Sequence, residues 1–206
     1  MITITIAIIA ITCLLSFNAF SNSKMMDELI FHPPAITHNK QWYRFITCGF
    51  VHADIMHLAF NMFTLYFFGK SWETVYINYL GVEKYWYLIF YFSALIVSEI
   101  PSYLKNRNNY NYYSLGASGA VSAIVFSMIL LMPWSTLYVF VFPIPAIVYA
   151  FLYIGYSIYI GKKGGDNVNH DAHLWGAIYG VIFSVALKPE VLGYFLNQLA
   201  NPSFNF

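Results

Sequence analysis

Six apolar runs follow one another along the chain, at about residues 2–20, 49–69, 85–104, 116–132, 138–160 and 171–187. A helix needs about 20 predominantly apolar residues to cross a bilayer, so each run is close to the length of a crossing. Inside hydrocarbon every backbone N–H and C=O must find its partner within the protein, and these runs are too long and unbroken for barrel strands. The pattern therefore predicts an all-α, polytopic membrane protein of six transmembrane helices. Composition agrees: 59% of the residues are hydrophobic and only 9% charged, against roughly 25% charged in a typical soluble chain. Six spans would use roughly 120 residues, which in a chain of 206 leaves short connections and a single expected domain over residues 1–206. A formal net charge of +1 supplies no basic field for nucleic acid and no acidic tail.

Local chemistry explains several joints. Pro133 follows AIVFSMILLM, and Pro143 and Pro145 make the entrance to the fifth run irregular, because proline lacks the N–H a helix interior needs. SYLKNRNNYNYY and GKKGGDNVN read as loops outside the hydrocarbon. Aromatic residues make up 20% of the chain, and most of the Tyr and Trp read as anchors at the lipid interface. Cys13 and Cys48 do not support a disulfide scaffold. The first run has no basic segment before it and is expected to be a retained span rather than a cleaved signal. With a cytoplasmic N-terminus the exterior segments would carry Lys24, Lys40, Arg44, Lys105, Arg107, Lys162 and Lys163, and the interior ones only Lys70, Lys84 and Lys188. Charge bias alone therefore favours an N-terminus outside.

Polar residues stand where they are expensive. In the second run, His57 and Asn61 lie one helical turn apart on one face, and neither can face lipid without unpaired donors. His52 lies nearer the interface, with Asp54 close enough to be solvated there. The fourth run opens with Gly116, Ser118 and Gly119; a serine at a helix mouth sits beside backbone donors able to stabilise negative charge. The sixth run carries Ala172, His173, Gly176, Gly180 and Ser184, and its four-residue spacing of small side chains matches Gly119, Ala123 and Ser127. Two such faces allow close backbone approach, which would bring His173 to the hydroxyl of Ser118.

Peptide hydrolysis needs a nucleophile, a proton acceptor and donors for the developing oxyanion. Ser118, His173 and the His57/Asn61 pair fill those roles, with Ser118 also expected to contribute to oxyanion stabilisation. No Asp lies one turn beyond His173, and Asp171 should point elsewhere, so a dyad fits better than a triad. A metallohydrolase using His52, His57, His170 or His173 is the competing enzyme class. The H-E-x-x-H pattern is absent, however, and His52 and His57 lie about 140° apart on an ideal helix.

Taken together, these motifs resemble the rhomboid family of intramembrane serine proteases over Tyr43 to Gly180 and the preceding span. Tyr43-Arg44 looks like the family's aromatic-Arg element, and His52, His57 and Asn61 match its H-x-x-x-x-H-x-x-x-N. Gly116, Ser118 and Gly119 match G-x-S-G, and Ala172, His173, Gly176 and Gly180 match A-H-x-x-G-x-x-x-G. The resemblance implies a six-helix core, Ser118 and His173 as catalytic dyad, His57 and Asn61 as oxyanion support, and His52, Arg44, Gly116, Gly119, Gly176 and Gly180 in supporting roles. It implies cleavage in or near the transmembrane segments of membrane proteins, no cofactor or metal, contact with membrane lipid, and no obligatory protein partner. It also implies a bacterial inner membrane, a cytoplasmic N-terminus despite the charge count, and Lys162 and Lys163 in a loop above the site. A noncatalytic rhomboid-like binder of transmembrane clients is the alternative. One departure stands out: some members place on the catalytic His a Tyr four residues after the nucleophile, whereas this chain has Ser122. Neither Trp175 nor Tyr179 can be assigned that task from sequence.

Overall fold

Four helix starts in this chain are written by side chains that accept the first free backbone N–H groups. Thr3, Asn22, Asp54 and Asn169 do so for the helices that follow them, accepting from Ile6, Met25, His57 and Ala172. The structure is a computed structural model and describes residues 3–139, 141–164 and 168–202. It contains α1 (Ile4–Phe20), α2 (Ser23–Leu29), α3 (Pro33–Asn39), α4 (Arg44–Thr47), α5 (Ile55–Trp72), α6 (Tyr85–Asn106) and α7 (Ser118–Leu131). A hairpin of β1 (Thr136–Val139) and β2 (Phe142–Pro145) leads into α8 (Ala146–Lys163), α9 (His170–Leu187) and α10 (Glu190–Ala200).

Several expected boundaries move. The second run does not enter its helix at residue 49: Cys48–Phe50 is a 3-10 turn, and α5 waits for its Asp54 cap. The fifth run does not begin as helix at residue 138. Pro143 and Pro145 cannot supply helical N–H groups, so the chain folds back with Thr136 opposite Pro145 and Val139 opposite Phe142. Lys162 and Lys163 are the last residues of α8 rather than part of a loop. Residues 165–167, the middle of the expected connection to α9, lie outside the described residues.

The helix α7 is the axis of the bundle, with every residue from Gly119 to Leu130 buried, and α9 packs along it most extensively. Their contact is backbone on backbone. A Cβ on Gly176 would stand 2.2 Å from the Gly119 carbonyl oxygen, and one on Gly180 would stand 2.1 Å from that of Ala123, so only glycine allows this approach. Below the crossing, Trp72 Nε1 donates to Ser127 Oγ at 3.0 Å, and Ser127 and Ser184 share a 2.6 Å hydrogen bond. Trp72 stacks on Tyr76 with ring centroids 4.3 Å apart, and Trp72, Tyr76, Tyr87 and Tyr91 are all fully buried. These four rings build part of the core, whereas most of the other Tyr and Trp stay partly or fully exposed.

The outward faces are apolar, with Phe60, Phe63, Phe67, Phe151 and Leu152 all exposed, a surface far more apolar than water tolerates. Among the described residues, Tyr85–Asn106 alone is by itself long and apolar enough to cross a membrane. His170–Leu187 and Glu190–Ala200 reach that length together, bent by 114°, while Ile4–Phe20 and Ser118–Leu131 are shorter apolar helices. The six-span expectation is thus narrowed to an all-α fold with one or two helices of crossing length.

Candidate active site

Four of the residues singled out in the sequence line one cavity of about 1100 Å³: His57 and Asn61 from α5, Ser118 from α7 and His173 from α9. Nε2 of His173 lies 2.8 Å from Oγ of Ser118. Ser118 is the first residue of α7, where backbone N–H groups have no helical acceptor and the helix dipole favours negative charge. Facing it, Asn61 donates from Nδ2 to the His57 carbonyl at 3.0 Å, which leaves its second amide proton for the cavity.

Gly116 makes this crowding possible. Its φ is +113°, and an added Cβ would meet His57 Cε1 at 2.7 Å and Nε2 at 2.8 Å. Glycine is therefore required twice over, by its backbone conformation and by the imidazole lying on it. Gly119 is shaped by a different neighbour, because its Cβ would meet Ser98 Oγ at 2.2 Å.

His52 is fully buried, and hydrogen bonds define its tautomer. Ser16 Oγ donates to the Phe50 carbonyl at 3.0 Å, so it accepts from His52 Nδ1 at 3.0 Å. Nε2 then accepts from the Ala117 N–H at 3.4 Å. With both nitrogens engaged, His52 connects α1 to the residue before Ser118 and lies behind His57, ring centroids 5.0 Å apart. Arg44 is not among the residues lining the cavity. Buried, it donates to the Asp27 and Ile30 carbonyls at 2.7 Å each and to Gln41 Oε1 at 2.6 Å, holding the segment between α2 and α4. Asp54 is exposed and caps α5, and Asp171 pairs with Lys105 at 3.7 Å. Among the described residues no three His, Cys, Asp or Glu side chains converge as metal ligands would.

The structure adds residues that sequence reasoning missed. Glu99, buried in α6, accepts from Ser114 Oγ at 2.9 Å and from Asn169 Nδ2 at 3.0 Å. Asn169 Oδ1 meanwhile caps α9 and accepts from Ser102 Oγ at 3.0 Å. The start of α9, and with it His173, is therefore fastened to α6 and to the segment preceding Gly116. A carboxylate inside an apolar run is the kind of signal that could have found this network. At the rim of the cavity, burial pushes the Tyr112 phenol up to about 12, against a hydrogen bond with Ser102 that lowers it, so it remains a protonated donor. Tyr153 of α8 stacks on His173. Trp175 is exposed, and Tyr179 donates to Ser93 at 2.7 Å.

Residues 39–190 match the Rhomboid domain, and the chain belongs to the rhomboid family. It is 35% identical over 147 residues to RHOMBOID-like protein 12, mitochondrial, of Arabidopsis thaliana, covering 66% of this chain and 44% of that protein. It is 32% identical over 157 residues to Rhomboid-like protein 11, chloroplastic, of the same plant, covering 68% and 51%. With the human Presenilin-associated rhomboid-like protein, mitochondrial, identity is 28% over 145 residues, covering 64% and 34%. The chain thus spans from about a third to about half the length of these relatives. Their names overturn the expectation of a bacterial inner membrane: these relatives are eukaryotic, and their names are mitochondrial or chloroplastic. The motifs behind that expectation describe a bundle core and carry no address.

Proposed function

We propose that this chain is an intramembrane serine endopeptidase, cleaving peptide bonds in or near the transmembrane segments of membrane proteins, and that α1 and α5 to α9 form a six-span membrane bundle. The observation that carries the reading is the 2.8 Å contact between His173 Nε2 and Ser118 Oγ in a cavity also lined by His57 and Asn61. Ser118 Oγ attacks the scissile carbonyl carbon while His173 takes its proton. The carbonyl oxygen becomes an oxyanion, stabilised by the free N–H groups at the start of α7 and by His57 and Asn61. Collapse breaks the C–N bond as His173 returns the proton to the leaving amine. Water, deprotonated by the same imidazole, then releases the acid and regenerates Ser118.

A helical amide is already hydrogen-bonded and enclosed by its neighbours, so the substrate must unwind locally before attack. Substrates with small or helix-destabilising residues near the cleaved bond follow from this requirement. Purified protein should cleave such a transmembrane substrate and label with a serine-directed fluorophosphonate, and Ser118→Ala should do neither. Equal cleavage by the two proteins would overturn the reading.

A further inference from the structure

The sequence leaves the imidazole of His173 without the ring that residue 122 would have supplied, and the fold fills the place from another helix. The Tyr153 ring lies against His173 with centroids 6.0 Å apart and planes inclined by 23°. Its hydroxyl shares a 2.5 Å hydrogen bond with Ser122 Oγ, one helical turn beyond Ser118 on α7. Phe126 of α7 and Tyr149 of α8 each lie 5.6 Å from the same ring. Tyr153 is therefore wedged between α7 and α9, fixed at its tip by the former and facing the imidazole of the latter. The rest of α8 holds on lightly: of its residues only Ala146, Ala150 and Ser157 are buried, while Phe151, Leu152, Tyr156 and Tyr159 face outward.

We infer that Tyr153 is the positioning residue for His173, so that the geometry of the dyad depends on how α8 is seated on α7. This rests on the reading of Ser118 and His173 as the dyad. A ring carried on α7 would move with the nucleophile. A ring carried on α8 keeps the imidazole in line only while the packing around it, with the Ser122 hydrogen bond as a lesser tie, holds α8 in place. Ser122 is thus a minor participant in imidazole alignment, acting through the Tyr153 hydroxyl.

The test uses the full chain in detergent, with fluorophosphonate labelling of Ser118, kcat and KM on a transmembrane substrate, and Tm. Tyr153→Leu removes the ring and should lower kcat and labelling rate about tenfold, since misalignment by a fraction of an ångström is felt strongly in proton transfer, with KM close to wild type. Tyr153→Phe retains the ring and should stay within about threefold of wild type on the same argument. The decisive variant is Ser122→Tyr combined with Tyr153→Ala. The hydroxyl of Ser122 meets the tip of Tyr153, so a ring grown from residue 122 enters the vacated space, and labelling should recover above that of Tyr153→Leu. Where Tyr153→Leu does not fold, this double variant decides alone: labelling supports the inference, and a folded but unlabelled protein overturns it. Tyr153→Leu labelling and turning over at wild-type rates overturns the role of Tyr153 and leaves the dyad intact. Ser118→Ala turning over at the wild-type rate removes the dyad itself, and the inference with it.

Discussion

Asn61 uses one amide proton on the carbonyl of His57, 3.0 Å away, and keeps the other for the cavity. A donor placed for charge that exists only in the tetrahedral intermediate should affect turnover rather than binding. Asn61→Ala should therefore lower kcat by about tenfold to a hundredfold with KM little changed, and a folded variant with wild-type kcat would reduce Asn61 to a helix clamp. His57, Asn61, Ser118 and His173 were legible in the sequence because each puts a polar group where an apolar run makes it expensive. Tyr153 was not. It stands in YAFLYIGYSIY beside Tyr156 and Tyr159, both of which face outward. The letter is the same for a lipid-facing ring and for one lying on an imidazole, and only the tertiary contact separates them. The anchoring of His52 was not legible, because its hydrogen-bond partner Ser16 lies 36 residues away.

The crossing of α7 and α9 tests geometry apart from chemistry. Small residues at four-residue spacing announced it, and the structure brings Gly176 and Gly180 against carbonyls of α7. A side chain at Gly180 must displace the backbone of Ala123 rather than a flexible neighbour, so relief requires the helices to part. Gly180→Val should lower stability by about 1–3 kcal/mol or more through overpacking and reduce activity with it, because His173 rides on the same helix. His173→Ala should abolish activity with comparatively little change in Tm. Both variants belong in one detergent, with Tm and turnover read side by side. Gly180→Val at wild-type levels of both would mean that the two helices have room to spare. The expected boundaries failed where local capping overruled hydrophobicity: Cys48–Phe50 is apolar enough to extend α5, but Asp54 fixes the start. Thr136–Val139 could have opened the fifth helix, but two prolines turn the chain into a hairpin.

Across the whole molecule, the apolar pattern showed the six principal helices and the faces on which α7 and α9 meet, but not the short helices α2, α3, α4 and α10 or how the elements are tied end to end. Glu73, just past the C-terminal end of α5, accepts from both the backbone N–H and the hydroxyl of Thr5, at 2.6 and 2.9 Å. Glu99 links α6 to the starts of α7 and α9. Each tie joins residues far apart in the chain, so neither composition nor periodicity could show it. The shortness of α7 has a further consequence on the proposed membrane reading. Its 14 residues rise about 21 Å, whereas hydrocarbon is about 30 Å thick. With Leu131 near one face, Ser118 lies roughly 9 Å inside the other, and the depth at which a substrate must unwind becomes a joint property of protein and lipid. Reconstituted in bilayers of increasing acyl-chain length, the protein should show a rate optimum for a fixed substrate, shifted when the substrate's scissile bond is moved by one helical turn. A flat response across the series would mean that the bundle drags its own lipid thickness with it.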